Sequence, residues 1–136
     1  MSFLLDAGIC VALINGTSQN ARLRFAEATR RKAKVTTSAI VVHQLWHLAA
    51  KGGHDTRFAR ALSLFLSRDI AILDFSEPDS RAAGEIRAEL ERQGTRIGEY
   101  DTLIAGQAFA RNLILVTANT SEFSRVKGLV VEDWTV

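Results

Sequence analysis

Cysteine and proline occur once each, as Cys10 and Pro78. A single thiol excludes an internal disulfide and fits a reducing cytoplasm. Cys10 lies in an apolar segment, where a thiol is a small core residue and not a nucleophile. No apolar run is long enough to span a bilayer, which excludes a transmembrane helix and argues against a membrane partner. The opening Met1-Ser2-Phe3-Leu4-Leu5-Asp6 lacks a basic leader region, and Asp6 would interrupt any hydrophobic one, so no signal peptide is expected. Neither sign of charge dominates: 17 Lys and Arg face 15 Asp and Glu, a formal net charge of +2. That balance does not by itself indicate a nucleic-acid ligand. There is no internal repeat, low-complexity tract or linker. What remains is 136 residues, 47% hydrophobic, sufficient for one domain over 1–136 with a sizeable core.

Short β-type runs recur with helical stretches between them, the pattern of an α/β fold with a mostly parallel sheet of four or five strands. Strands are expected near residues 3–5, 34–36, 70–73, 113–116 and 129–132. A short helix should follow Asp6 and end near Gly16. A second should run over about 20–31, capped by Thr17 or Ser18. Ser38 can cap a third, stopped by Gly52-Gly53, and Asp55 a fourth that carries Phe58, Leu62 and Phe65 on one face. Ser76-Glu77-Pro78-Asp79 is close to a capping box with proline in the opening turn, and Gly94 should end the helix it starts.

The chemistry concentrates at two isolated aspartates. Asp6 ends the apolar run Phe3-Leu4-Leu5, and Asp101 opens a helical run from Thr102. Each is read as a point where a buried strand hands over to a helix. In a parallel sheet both could meet at the carboxyl edge of the strands, where such folds bind ligands. Two carboxylates there suit a divalent cation and a phosphate. Either residue could equally be a helix cap, favoured by the helix dipole. A third junction, Val116-Thr117-Ala118-Asn119, offers polar groups for a metal-bound water or a phosphate, or simply turn chemistry.

Two other features are weighed against this centre. His43 and His47 are four apart on an expected helix, as in zinc hydrolases, but Gln44 stands where that chemistry needs a glutamate base. His54 also follows His47 at the wrong distance, beyond a glycine pair. The histidines are therefore read as helix-surface residues. Arg22, Arg24, Arg30, Arg31, Lys32 and Lys34 crowd between positions 22 and 34. They read as a solvated helix face or a phosphate-contacting patch.

Three stretches carry a resemblance to a known family: Ile86-Arg87-Ala88-Glu89-Leu90-Glu91, Gly94-Thr95-Arg96-Ile97-Gly98-Glu99-Tyr100-Asp101, and Leu115-Val116-Thr117-Ala118-Asn119-Thr120-Ser121-Glu122-Phe123. The tail, Arg125 to Leu129 followed by Glu132-Asp133-Trp134, completes it. The chain resembles PIN-domain ribonucleases of the VapC type, the toxins of bacterial toxin–antitoxin pairs, over nearly its whole length. The resemblance implies a PIN-like three-layer α/β/α fold. It also carries an acidic centre onto Asp6, Gln44, Asp101 and Asn119, with Asp6 and Asp101 as metal ligands. Gln44 falls where the family has glutamate, and Ala7 and Gly8 replace a threonine and an asparagine.

The activity so implied is metal-dependent cleavage of RNA with one or two Mg²⁺ or Mn²⁺ ions, which would activate water and neutralise the scissile phosphate. Glutamine deletes one negative charge beside the cation. A unit charge pair at about 4 Å and an effective dielectric near 20 is worth roughly 4 kcal/mol, before ligand dehydration is subtracted. Mg²⁺ commonly uses only one or two protein carboxylates, so a one-metal site of reduced activity is expected. Glu99 and Glu122 are the nearby acids able to compensate. The alternative is an impaired PIN domain kept as an antitoxin- or RNA-binding module. The resemblance further implies a VapB-like antitoxin, structured RNA substrates such as transfer RNA, and a homodimer. Arg87 and Arg96 could pair with RNA. Trp46 is assigned to the core or to a dimer interface before RNA stacking.

Overall fold

The structure, a computed structural model, describes residues 1–52, 56–68 and 70–136. Its elements in chain order are β1 (Ser2–Leu5), α1 (Ala7–Asn15), α2 (Gln19–Arg30), β2 (Lys34–Ser38), α3 (Ala39–Lys51) and α4 (Thr56–Arg68). There follow β3 (Ala71–Leu73), α5 (Glu77–Gln93), α6 (Glu99–Ala110), β4 (Ile114–Val116), α7 (Thr120–Phe123) and β5 (Val131–Glu132). All five strands pair in parallel, in the order β3-β2-β1-β4-β5. The sheet is therefore wholly parallel, flanked by helices. Three strands start one or two residues later than their apolar runs, because Ile70, Leu113 and Leu129-Val130 are approach segments.

Central position explains the composition of β1. It has a neighbour on either side and helices over both faces, so its residues are apolar without alternation; Leu4 and Leu5 are fully buried. The chain builds β2 and β3 outward on one side of β1, then returns to place β4 and β5 on the other. Beyond the carboxyl ends of β1 and β4 the connections therefore part in opposite directions. That parting opens the crevice in which doubly wound sheets bind ligands.

Local hydrogen bonds start the helices where the sequence predicts. Ser18 Oγ accepts from the Ala21 amide at 3.1 Å and Ser38 Oγ from Ile40 at 3.0 Å. The Ser76 amide donates to Asp79 Oδ2 at 2.9 Å, one half of the expected capping box. Asp79 is buried, which disfavours its charge. Arg111 outweighs that by donating Nε at 3.1 Å and Nη2 at 2.8 Å, and the carboxyl is held below its ordinary range. Phe58, Leu62 and Phe65 face inward from α4 as their spacing requires. The expected cap at Asp55, together with Gly53 and His54, lies outside the described residues.

Asp101 departs from the sequence reading. No strand precedes α6: α5 stops at Gly94, whose φ of 69° is the left-handed conformation glycine adopts freely, and a short loop leads straight into α6. Asp101 is the third residue of that helix, not a strand-end residue. The connection of residues 95–98 is short, and it leads between two helices that pack directly on each other. A Cβ on Gly106 would stand 2.5 Å from the Ala83 backbone nitrogen and 2.6 Å from its Cα. Gly106→Ala must push the two helices apart and is expected to destabilise the fold by about 1–3 kcal/mol. Urea titration should show a lower midpoint at unchanged slope.

The tail is pinned by Trp134, which is buried with its ring edge-on to Phe3 at 5.2 Å; its indole Nε1 donates to Glu132 Oε1 at 3.1 Å. The residue between them, Asp133, is thereby fixed at the carboxyl end of β5. Cys10 is buried, its thiol pushed up to about 12 chiefly by burial, as an inert core residue should be. Trp46 is not a core residue: it is 42% exposed on the outer surface of α3, beside Leu64 of α4. The basic segment is largely a solvated helix end, with Arg30 and Arg31 paired to Glu27 and Arg24 to Glu132.

Candidate functional site

Asp6 occupies the crevice at the point where β1 ends. Its amide continues the ladder to Val116 O at 3.0 Å, and Oδ1 accepts the Ile9 amide at 2.9 Å, capping α1. The carboxylate is thus a helix cap and a member of the acidic centre at once. Burial raises its pKa, and the charge of Asp133 adds to the rise. Hydrogen bonds from the Thr117 side chain and from the Ile9 and Gly8 amides act in the opposite sense without cancelling it.

Asp101 projects from the first turn of α6, and its carboxyl is raised to about 6. Burial is the largest cause, followed by the charges of Glu122 and Asp6 and by a hydrogen bond with Glu122. Two carboxyls can share a hydrogen bond only if one of them holds a proton, so these acids crowd each other. Asn119 sets Glu122 in place, with Nδ2 donating to Oε2. The Asn119 amide donates to Thr117 Oγ1 at 2.9 Å. Thr117, fully buried, therefore links the start of α7 to Asp6.

Gln44 lies midway along α3. Its Oε1 is buried with no hydrogen-bond partner, a cost a fold does not ordinarily leave uncompensated. The preceding residue ties this helix to the Asp101 turn: His43 Nε2 and the Tyr100 hydroxyl are 3.3 Å apart. Of the four residues the sequence nominates, Asp6 and Asp101 come within electrostatic reach of each other. Asn119 joins them through Glu122. Gln44 makes no hydrogen bond to any of them and contributes a buried, unused acceptor.

Sequence reasoning left Asp133 out of the centre altogether. Its one signal is its position directly after the apolar-to-acidic end of the last strand. Of the two acids expected to compensate for Gln44, Glu122 faces Asp101. Glu99 instead lines a cavity of about 300 Å³ with Arg87 and Arg96, between α5 and α6. His43 and His47 are exposed helix residues with stacked rings, as expected of surface histidines.

No Lys or Arg pairs with Asp6, Asp101, Glu122 or Asp133 among the described residues. The same residues contain no group of three or more His, Cys, Asp or Glu side chains close enough to cage an ion unaided. Uncompensated carboxylates and amide oxygens, short of a closed cage, fit a hard cation that keeps water and phosphate in its coordination sphere. They do not fit zinc, which prefers nitrogen and sulfur in a closed tetrahedron.

The PIN domain profile matches residues 3–129. The chain belongs to the PIN domain family. This PIN domain is 39% identical to the tRNA(fMet)-specific endonuclease VapC of Shigella flexneri over 134 residues, 98% of each chain. It is 37% identical to Ribonuclease VapC2 of Rickettsia felis, again over 98% of both. Among solved structures it superposes on VapBC2 of Rickettsia felis bound to a promoter DNA fragment with a TM-score of 0.91. The identity there is 34%, covering 98% of this chain and 99% of that one. DNA-bound VapBC of Salmonella typhimurium gives 0.89 at 36% identity, with 98% of both covered. Ribonucleases of the PIN family depend in general on divalent metal. Among the described residues of this PIN domain, no helix is long and apolar enough to cross a membrane.

Proposed function

We propose that this chain is a VapC-type toxin, an endoribonuclease whose single domain over 1–136 cuts RNA at the crevice between β1 and β4. The carrying observation is the burial of Asp101 and its crowding by Glu122 and Asp6, which raise it to about 6 with no Lys or Arg among the described residues paired to it. Asp6 and Asp101 would hold Mg²⁺ or Mn²⁺, with Gln44 Oε1 as a neutral acceptor within the same centre. When bound, the ion supplies charge neutralisation at the scissile phosphate and a more acidic water.

The protein's own contribution is orientation and proton control. The Ile9 and Gly8 amides and the Thr117 hydroxyl fix the Asp6 carboxylate, and Asn119 fixes Glu122. Near neutral pH Asp101 has lost its proton and is ready to bind a cation. Once ionised, Asp101 can no longer donate to Glu122, so its oxygens are free to accept a cation or a polarised water.

The identity to a transfer-RNA endonuclease supports structured RNA, with transfer RNA foremost, as the substrate. The likeness to VapBC complexes supports a VapB-like antitoxin as partner. The exposed apolar Trp46 and Leu64 support a homodimer through the α3–α4 surface. The reducing cytoplasm is the proposed compartment, in keeping with the lone buried thiol. The test is cleavage of total RNA. The chain should cut with Mn²⁺ and fail in chelator, and Asp6→Asn should lose at least about 100-fold in rate. Binding of RNA without cleavage under any metal would reduce the chain to the impaired binding module.

A further inference from the structure

We propose that the exposed rings of Tyr100, His43 and His47 form a stacking platform for an unpaired nucleobase next to the scissile phosphate. The proposal rests on the RNA-cleaving function above and names how that site would hold its strand. Tyr100 immediately precedes Asp101, and His43 immediately precedes Gln44, so the platform bridges the two helices that carry these residues. The Tyr100 and His43 ring centroids are 5.7 Å apart and tilted by 40°. His43 and His47, one helical turn apart on α3, are nearly parallel, with centroids 6.4 Å apart and planes 8° apart. Tyr100 is 47% exposed, and both histidines are exposed as well.

Solvent-exposed aromatic rings in a row are what single-stranded RNA uses when its bases are splayed out. An RNA chain whose phosphodiester lies at Asp101 has its flanking bases within one nucleotide of that position. The Tyr100–His43 contact joins α6 to α3 at the level of Asp101 and Gln44, which sets these rings within a nucleotide's reach of that position. A purely structural reading assigns Tyr100 to a strut between α3 and α6. That strut has one hydrogen-bonding approach, 3.3 Å between the Tyr100 hydroxyl and His43 Nε2, beside the ring contact of the same pair. The two readings are separable because the hydrogen bond serves the strut alone and because only a platform distinguishes an RNA with bases from one without.

The test measures binding of a labelled single-stranded oligoribonucleotide by anisotropy in chelator, so that no cleavage intervenes. Tyr100→Ala and His47→Ala should each weaken binding about 5- to 100-fold, the range of one base–aromatic stack. The salt dependence should stay unchanged, because no phosphate contact is removed. Tyr100→Phe should bind as the parent does. An abasic oligomer of the same length should bind the parent and Tyr100→Ala equally. Equal damage from Tyr100→Phe and Tyr100→Ala would assign the residue to the strut and overturn the platform. So would an equal loss on the abasic oligomer. A change of oligomeric state in Tyr100→Ala with RNA binding intact would make the surface a protein interface and overturn it too. A parent that cleaves RNA while the ring variants bind normally sinks the platform alone. A parent that neither binds nor cleaves RNA sinks the proposed function with it.

Discussion

Asp101→Asn is expected to produce a chain that is more heat-stable in chelator at pH 7 and has lost its metal response. The Asp101 carboxyl is raised from 3.8 to about 6 in the folded state, mainly by burial and then by Glu122 and Asp6. Between those values the folded chain binds more protons than the unfolded chain, so stability falls as pH rises. The loss begins near pH 4 and is complete above about pH 6. Asparagine carries no charge to crowd, and its amide can still donate to Glu122. In chelator the variant should therefore melt above the parent at pH 7, with the gap closing toward pH 4. Asp6, raised in the same direction, leaves a residual slope in the variant. Mn²⁺ should raise the parent's melting temperature by mass action and leave the variant's nearly unmoved. RNA cleavage should drop by at least about 100-fold, the upper end of what loss of a supporting residue costs and a minimum for a ligand. Thermal melts over pH 4–8, with and without Mn²⁺, check the stability arm. A variant less stable than the parent at pH 7, or one that keeps its Mn²⁺ shift, would remove Asp101 from the site.

Gln44→Glu should do the reverse. Its Oε1 is a buried acceptor without a partner, and if Gln44 belongs to the proposed metal centre, glutamate would add a negative charge to acids that already crowd one another. In chelator, repulsion and desolvation should lower the melting temperature at pH 7 relative to this chain. In Mn²⁺ the order should invert. A unit charge about 4 Å from a cation is worth roughly 4 kcal/mol at an effective dielectric of 20 before ligand dehydration is subtracted. A gain of at least about tenfold in Mn²⁺ affinity, near 1.4 kcal/mol, should therefore survive. Calorimetry reads the affinity, and initial rates on RNA should rise in parallel. Equal melting shifts for both proteins would mean that Gln44 lies outside the metal site and only packs in α3.

Much of this protein is decided within a few residues of each position. Ser18, Ser38 and Asp6 start helices through hydrogen bonds to amides two or three residues on, and Asp79 folds back on the Ser76 amide. Such contacts depend only on neighbouring residue types, so the sequence determines the helix starts, the apolar strands and the α/β class. The motifs from Ile86 to Phe123 likewise carry the family resemblance that nominated Asp6, Gln44, Asp101 and Asn119. The tertiary structure decided that Asp101 follows a helix and not a strand, with α5 and α6 joined by a short connection and packed directly on each other at Gly106 and Ala83. It also decided which acids meet: Glu122 with Asp101 while Glu99 turns into another cavity, and Asp133 with Asp6 because β5 lies beside β4 and Trp134 anchors the tail. Charge coupling and burial depend on distance in space. That distance is set by strand order and helix packing, which hydrophobic periodicity does not encode.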